Sequence, residues 1–225
     1  AAIAPDLRVR FATSHPKDLS DRLIEVMASH PNICRAIHLP AQSGSTRMLQ
    51  IMNRKYTREW YLGRIAAIRA AMPDCAITTD LITGFPEETE EEFAGTLAFI
   101  RRCDFAAMHV FPYSVRPGTP AAKMEQLPEN VKTERMGRLL ALQNKLLEEK
   151  NEAIAKASNI LKEMAKDDSA NKAAQELSKY FEKEYKTTNY CISLNNIFNC
   201  CTCRSCNYSY FFRYFRNCLF IFIIK

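Results

Sequence analysis

The residues able to do chemistry in these 225 positions are polar groups placed where apolar runs stop. They are Thr13, Ser14 and His15; Gln42 and Ser43; Asp80 and Thr83; and Tyr113, Ser114 and Arg116. Amides and hydroxyls of this kind donate to and accept from a ribose or an amide. A carboxylate late in a buried strand needs a partner, so Asp80 either points into a site or closes a cap or ion pair. Gln42 and Ser43 either touch a ligand or turn the chain into the next helix, and Gly44 would let a ligand approach the backbone. Arg116 lies in a loop stiffened by Pro112, Pro117 and Pro120. It suits a phosphate or carboxylate, or is a plain surface arginine. His15, ahead of Pro16, reads equally as a surface-loop histidine. Arg54 and Lys55 beside Tyr56 fit either an RNA backbone or a solvated link between helices.

Cysteine chemistry concentrates near the other end. Cys200, Cys201, Cys203 and Cys206, with Cys191 and Cys218 outside them, have the spacing of a zinc or iron–sulfur knuckle. No glycine shapes that knuckle and its flanks are aromatic, so a non-native terminus is the competing reading. Cys34, Cys75 and Cys103 are far apart and read as core thiols. No nucleophile–base arrangement, Walker loop or full dinucleotide fingerprint is present.

The elements that must hold these groups are read from periodicity. Residues 76–82 form a β-branched, buried strand, broken by Gly84 and Pro86. Thr89 and Glu92 form a capping box that starts a helix with Phe93, Leu97 and Ile100 as its apolar stripe. Other strands are read at 7–12, 35–39 and 106–111. Helices are read at 18–30, briefly after Ser45, after Thr57 with Tyr61, Leu62, Ile65 and Ile68 inward, and from Val131 to about Lys166. Strands alternating with helices make a parallel sheet the economical fold, in the order 8–12, 35–39, 76–82, 106–111 with helices on one face. Ile37, Thr79 and Val110 are expected on its inner face, and the polar strand ends on one rim. Four strands cannot close a barrel.

The formal charge of +6 is an average that misleads. No acid occurs after Glu184, while Lys186, Arg204, Arg213, Arg216 and Lys225 do, so residues 1–184 carry about +1 (6 − 5). Net charge therefore gives no case for nucleic-acid binding by the main domain. All ten prolines lie at or before Pro128 and all six glycines at or before Gly137. The residues beyond them read as a long helix and then something else. The opening residues, without Met, suggest a start inside a longer protein. No signal peptide or full spanning stretch is read, which makes the cytoplasm the default.

Five runs carry a specific resemblance: residues 10–18 (RFATSHPKD), 38–45 (HLPAQSGS), 52–57 (MNRKYT), 79–86 (TDLITGFP) and 111–120 (FPYSVRPGTP). In one order and register over roughly residues 5–155, they resemble the radical-SAM methylthiotransferases. Within that family they are most similar to the branch acting on isopentenyl-adenosine beside the tRNA anticodon. The threonylcarbamoyl-adenosine branch and a non-catalytic RNA-binding remnant are the alternatives. The resemblance implies an α/β fold, the C-terminal part of a partial (β/α)6 TIM-like barrel. It implies S-adenosyl-L-methionine (SAM) and [4Fe-4S] clusters as cofactors of a monomeric parent, and tRNA as its partner.

Gln42 and Ser43 then match the region facing the SAM ribose. Asp80, Ile82, Gly84 and Glu87 fall on the family's fifth-strand motif; a glycine is common in the wider superfamily where this chain has Asp80. Arg116 and Arg54 become candidates for the SAM carboxylate or an RNA phosphate, with Lys55 as a further RNA contact. The Cys-x-x-x-Cys-x-x-Cys loop of the family is missing from these residues, so no cluster ligand is assigned and the chain is expected to be an inactive piece. The implied organisation is residues 1–155 as part of the barrel, 156–186 as a helical extension, and 187–225 as a Cys- and aromatic-rich tail that folds little without a metal.

Overall fold

The computed structural model describes residues 7–10 and 15–164. Its centre is a three-stranded sheet of β1 (Ala36–His38), β2 (Ala76–Thr83) and β3 (Ala107–Pro112) in the order β1-β2-β3. Both pairings are parallel, with His38 opposite Thr78 and Asp80 opposite His109. The expected strand at 8–12 is reduced, within the described residues, to a parallel bridge between Val9 and Ile33. Residues 11–14, and with them Thr13 and Ser14, lie outside those described, as do residues 165–225 and the whole Cys200–Cys206 knuckle.

Five helices connect and cover the sheet: α1 (Asp21–Ser29), α2 (Thr46–Ile51), α3 (Arg58–Ala71), α4 (Glu90–Cys103) and α5 (Glu129–Met164). Their starts obey the local code. Ser20, Ser45, Thr57 and Thr89 each accept a backbone N–H of the first turn, and Thr89 with Glu92 completes the capping box. α4 ends at Asp104, whose left-handed backbone turns the chain toward β3. α1 packs on α3, α3 on α4 and α4 on α5. Their apolar stripes (Ile24 and Met27; Tyr61, Ile65 and Ile68; Phe93, Phe99 and Ile100; Leu139 and Leu142) meet Ile37, Ile77, Leu81, Met108 and Val110 in one core.

Burial alternates along β2, odd-numbered residues buried and even-numbered ones half-exposed. This corrects the assignment of faces. Ile37, Thr79 and Val110 lie on the helix side at 3, 0 and 6 % exposure, not on the inner face. The apolar members of a strand whose two faces differ go to the covered face, because burying them removes apolar surface from water at about 25 cal/mol per Å². The open face carries Ala36 and His38, then Thr78, Asp80 and Ile82, then Ala107, His109 and Phe111.

α5 runs unbroken through residue 155 and clamps the end of the sheet. Gln143 accepts the Met108 amide at 2.9 Å, and Lys132, 2 % exposed, lies against Gly84. Gly84 has φ +65°, and a Cβ there would stand 2.4 Å from Lys132 Cγ. Gly84→Ala therefore combines a left-handed backbone penalty with overpacking, each on the order of 1–3 kcal/mol. A loss of about 2–4 kcal/mol in denaturant unfolding is expected; one below about 1 kcal/mol would mean that Lys132 swings away freely.

Candidate functional site

The open face of the sheet holds a compact polar group. Asp80 stands at its centre. His38 Nε2 lies 3.2 Å from Asp80 Oδ2, and His109 Nδ1 lies 3.2 Å from Asp80 Oδ1. The other nitrogen of His38 is 2.9 Å from Thr78 Oγ1. Strand geometry alone brings these together: His109 is the register partner of Asp80, and His38 is the partner of Thr78, one same-face step before it. The three side chains are 21, 27 and 37 % exposed for His38, Asp80 and His109, so solvent reaches them. Burial by itself raises the carboxyl pKa of Asp80, but hydrogen bonds from His109 and His38 and their attraction outweigh it. The group is held well below the usual carboxylate range. An ionised carboxylate bridging two imidazoles can shuttle a proton or collect a cation.

The loop after β1 is pinned to this group from one side. Gln42, with φ +66°, donates its backbone amide to Asp80 O at 2.8 Å and accepts from Ile82 N at 2.9 Å, bridging in parallel to β2. Tyr56 donates its hydroxyl to Pro40 O and Ala41 O, and burial pushes that phenol up to about 12, so it stays a donor. Tyr61 does the same to Leu39 O at 2.6 Å. Gln42 and Ser43 are 8 and 2 % exposed, and Ser43 Oγ accepts from Ser45 N. Gly44 has a use other than ligand approach: a Cβ there would fall 2.7 Å from Thr96 Cα and 2.8 Å from Phe99 Cβ. Its missing side chain lets the loop pack on α4.

The loop after β2 is pinned from the other side. Glu88, 3 % exposed, accepts the Gly84 amide at 2.9 Å and the Arg135 guanidinium at 2.7 Å. Glu87, also at positive φ, is exposed and pairs with Arg47 at 3.0 Å. The acid that shapes this loop is therefore the neighbour of the one singled out from sequence.

Of the remaining sequence-predicted residues, Asp80 and Ile82 lie on the open face. Arg116 is exposed in the loop beyond β3, its carbonyl accepting from Thr119. Arg54 is half-buried, and its Nε has no hydrogen-bond partner among the described residues. Lys55 is exposed and donates to Asn53. His15 is exposed, accepts from Lys17 N and sets its ring edge toward Tyr56. Sequence reasoning missed His38, His109, Glu88 and Arg135. The histidines lie in strands the sequence does indicate, but only the pairing register puts them on the face of Asp80. The Glu88–Arg135 pair joins residues 47 positions apart and left no local signal.

Cys75 and Cys103 are buried thiols pushed up by that burial to about 11 and about 12, and Cys34 is half-buried. Such protonated core thiols are not metal ligands. The described histidines, cysteines and acids converge in one potential cation group, that of His38, Asp80 and His109.

Residues 1–100 match the family model of the Radical SAM superfamily. Over 166 residues the chain is 51 % identical to the tRNA-2-methylthio-N(6)-dimethylallyladenosine synthase of Bacteroides fragilis, covering 72 % of this chain and 36 % of that protein. It is 56 % identical over 149 residues to the synthase of Parabacteroides distasonis (65 % of this chain, 33 % of that one). Against that of Acetivibrio thermocellus the identity is 54 % over 146 residues (64 and 30 %). The chain thus spans about a third of the length of these curated relatives. Among solved structures, coproporphyrinogen III oxidase from Escherichia coli, described as a radical SAM enzyme, shares the fold. The TM-score is 0.53 at 18 % identity, covering 64 % of this chain and 33 % of that one. Parallel strands with helices packed on one side agree with that fold, and residues 1–100 are what this chain has in common with the radical SAM superfamily.

Proposed function

We propose that this chain supplies the later strands of the barrel of a tRNA methylthiotransferase, one that adds a methylthio group to N6-isopentenyl-adenosine. The observation that carries this reading is the identity of about half over 166 residues to synthases named for that product. tRNA is then the macromolecular partner, with Arg54, Lys55 and Arg116 as its candidate phosphate contacts, and the cytoplasm is the place of action. Among the described residues no helix is long and apolar enough to cross a membrane. The division into 1–155, 156–186 and 187–225 belongs to the same proposal.

The residues present fit the implied cofactors unequally. No set of described cysteines can hold a [4Fe-4S] cluster, since Cys75 and Cys103 are buried, protonated core thiols. No step of cluster chemistry is therefore assigned to the described residues. For SAM, Asp80 and Ile82 offer a half-open carboxylate and an apolar side chain on the open face, and Gln42 borders them. Ser43, Gly84, Glu87 and Arg116 complete the proposed SAM side. Gly84 and Glu87 would act through the shape of the loop, which Lys132, Glu88 and Arg47 already hold.

A chimera tests the reading. The matching third of the Bacteroides fragilis synthase is replaced by the aligned residues of this chain, and the tRNA made in cells lacking their own synthase is digested and weighed. The expected result is 2-methylthiolated isopentenyl-adenosine at no less than about a tenth of the parent level, equivalent in rate to a barrier raised by at most about 1.4 kcal/mol. A folded chimera with its iron–sulfur content at the parent level and no such product would refute the assignment.

A further inference from the structure

The structure assigns to His38, Asp80 and His109 a binding site for a single divalent transition-metal ion of borderline softness, zinc being the reference case. Two imidazoles and one carboxylate from three adjacent parallel strands are the donor set that such ions take, with positions left for solvent or another ligand. The three donor atoms lie within 4.8 Å of one another. Metal–ligand bonds of about 2.0–2.2 Å require donors about 3.4 Å apart. His38 and His109 each lie 3.2 Å from a different Asp80 oxygen, so an ion bound through one or both oxygens requires the imidazoles to turn toward each other.

A second observation points the same way. Thr78 Oγ1 sits 2.9 Å from His38 Nδ1. A metal-bound imidazole gives its other N–H to an oxygen, which sets the tautomer and ring plane. When an ion replaces the proton that Nε2 shares with Asp80, a proton on Nδ1 donated to Thr78 leaves the Nε2 lone pair for the ion. The carboxylate supplies the negative charge, and the half-exposed position on the open face supplies an entry path. The strands also fix the backbone: the pairing of Asp80 with His109 keeps two of the three ligands in register. This site differs in donor type from any thiolate-held cluster, and it does not depend on the proposed tRNA activity.

The chain has four histidines, so a background carrying His15→Ala and His30→Ala leaves only the two of the site. The full 225-residue chain in that background is treated with iodoacetamide to silence accessible thiols, and its folding is monitored by far-ultraviolet circular dichroism. Cu²⁺ is then titrated in, and pulsed electron paramagnetic resonance counts the coordinated imidazoles. The expected result is one equivalent bound through two imidazoles, displaced by excess Zn²⁺. His109→Ala should leave one imidazole, and Asp80→Asn should weaken Zn²⁺ binding at least tenfold. Thr78→Val, which keeps all three ligands and the strand shape, should weaken it about 10–100-fold. A folded chain that binds no equivalent of copper or zinc up to millimolar concentration would overturn the assignment. So would an imidazole count unchanged by His38→Ala and His109→Ala.

Discussion

Replacing Arg135 with alanine is expected to cost about 3–5 kcal/mol of stability, the penalty for leaving a buried charge without its partner. The Arg135 side chain is 6 % exposed and that of Glu88 is 2 % exposed. Arg135 donates to the Glu88 carboxylate at 2.7 Å and to the Glu88 carbonyl at 3.0 Å, and lies over the Phe93 ring at 5.3 Å. Burial pushes the Glu88 carboxyl above its ordinary value even with Gly84 N–H and Arg135 beside it. Desolvation therefore exceeds attraction, and the pair fixes the loop after β2 against α5 more than it adds net stability. Two comparisons separate these effects. Arg138→Ala, on an arginine 38 % exposed and paired with Glu90, should cost about 0–1 kcal/mol. Glu88→Gln combined with Arg135→Met should recover much of the loss, since no unpaired charge then remains inside. An Arg135→Ala loss below about 1 kcal/mol in denaturant unfolding would show that water reaches Glu88.

The 225-residue chain produced alone should form no 5′-deoxyadenosine from SAM after anaerobic reconstitution with iron and sulfide. Reductive SAM cleavage requires an electron from a cluster held by thiolates at the site. Of the described cysteines Cys75 and Cys103 are core thiols and Cys34 stands apart from them, half-buried, and the sequence contains no Cys-x-x-x-Cys-x-x-Cys run. Iron bound by Cys200, Cys203 and Cys206 would not alter the expectation unless it also cleaved SAM. The measurement is chromatography of the reaction against a protein-free control, with the family's upstream half added in trans as the positive arm. 5′-Deoxyadenosine above control from the chain alone would show that it holds a working cluster. Product in the trans arm only would agree with SAM contacts divided between the halves.

Local signals in this chain were sufficient for its elements. The capping box at Thr89 and Glu92, the cap at Thr57, and the apolar stripe through Tyr61, Ile65 and Ile68 each report a few neighbouring residues, and each reappears in the structure. The parallel order of the last three strands came from their alternation with helices, and the family resemblance from five runs in fixed register. What the sequence did not decide was which face of each strand the helices cover. A run such as residues 76–83 alternates Ile, Thr and Leu with Ala, Thr and Asp, and its covered side depends on where α1, α3, α4 and α5 pack. Hence Ile37, Thr79 and Val110 face the core, while His38, Asp80 and His109 share the open side. The same reason hid the roles of the glycines and of Glu88. Gly44 is required by Thr96 and Phe99, Gly84 by Lys132, and Glu88 by Arg135. All of these partners are distant in the chain, and their approach is set by packing between elements rather than by neighbouring residues.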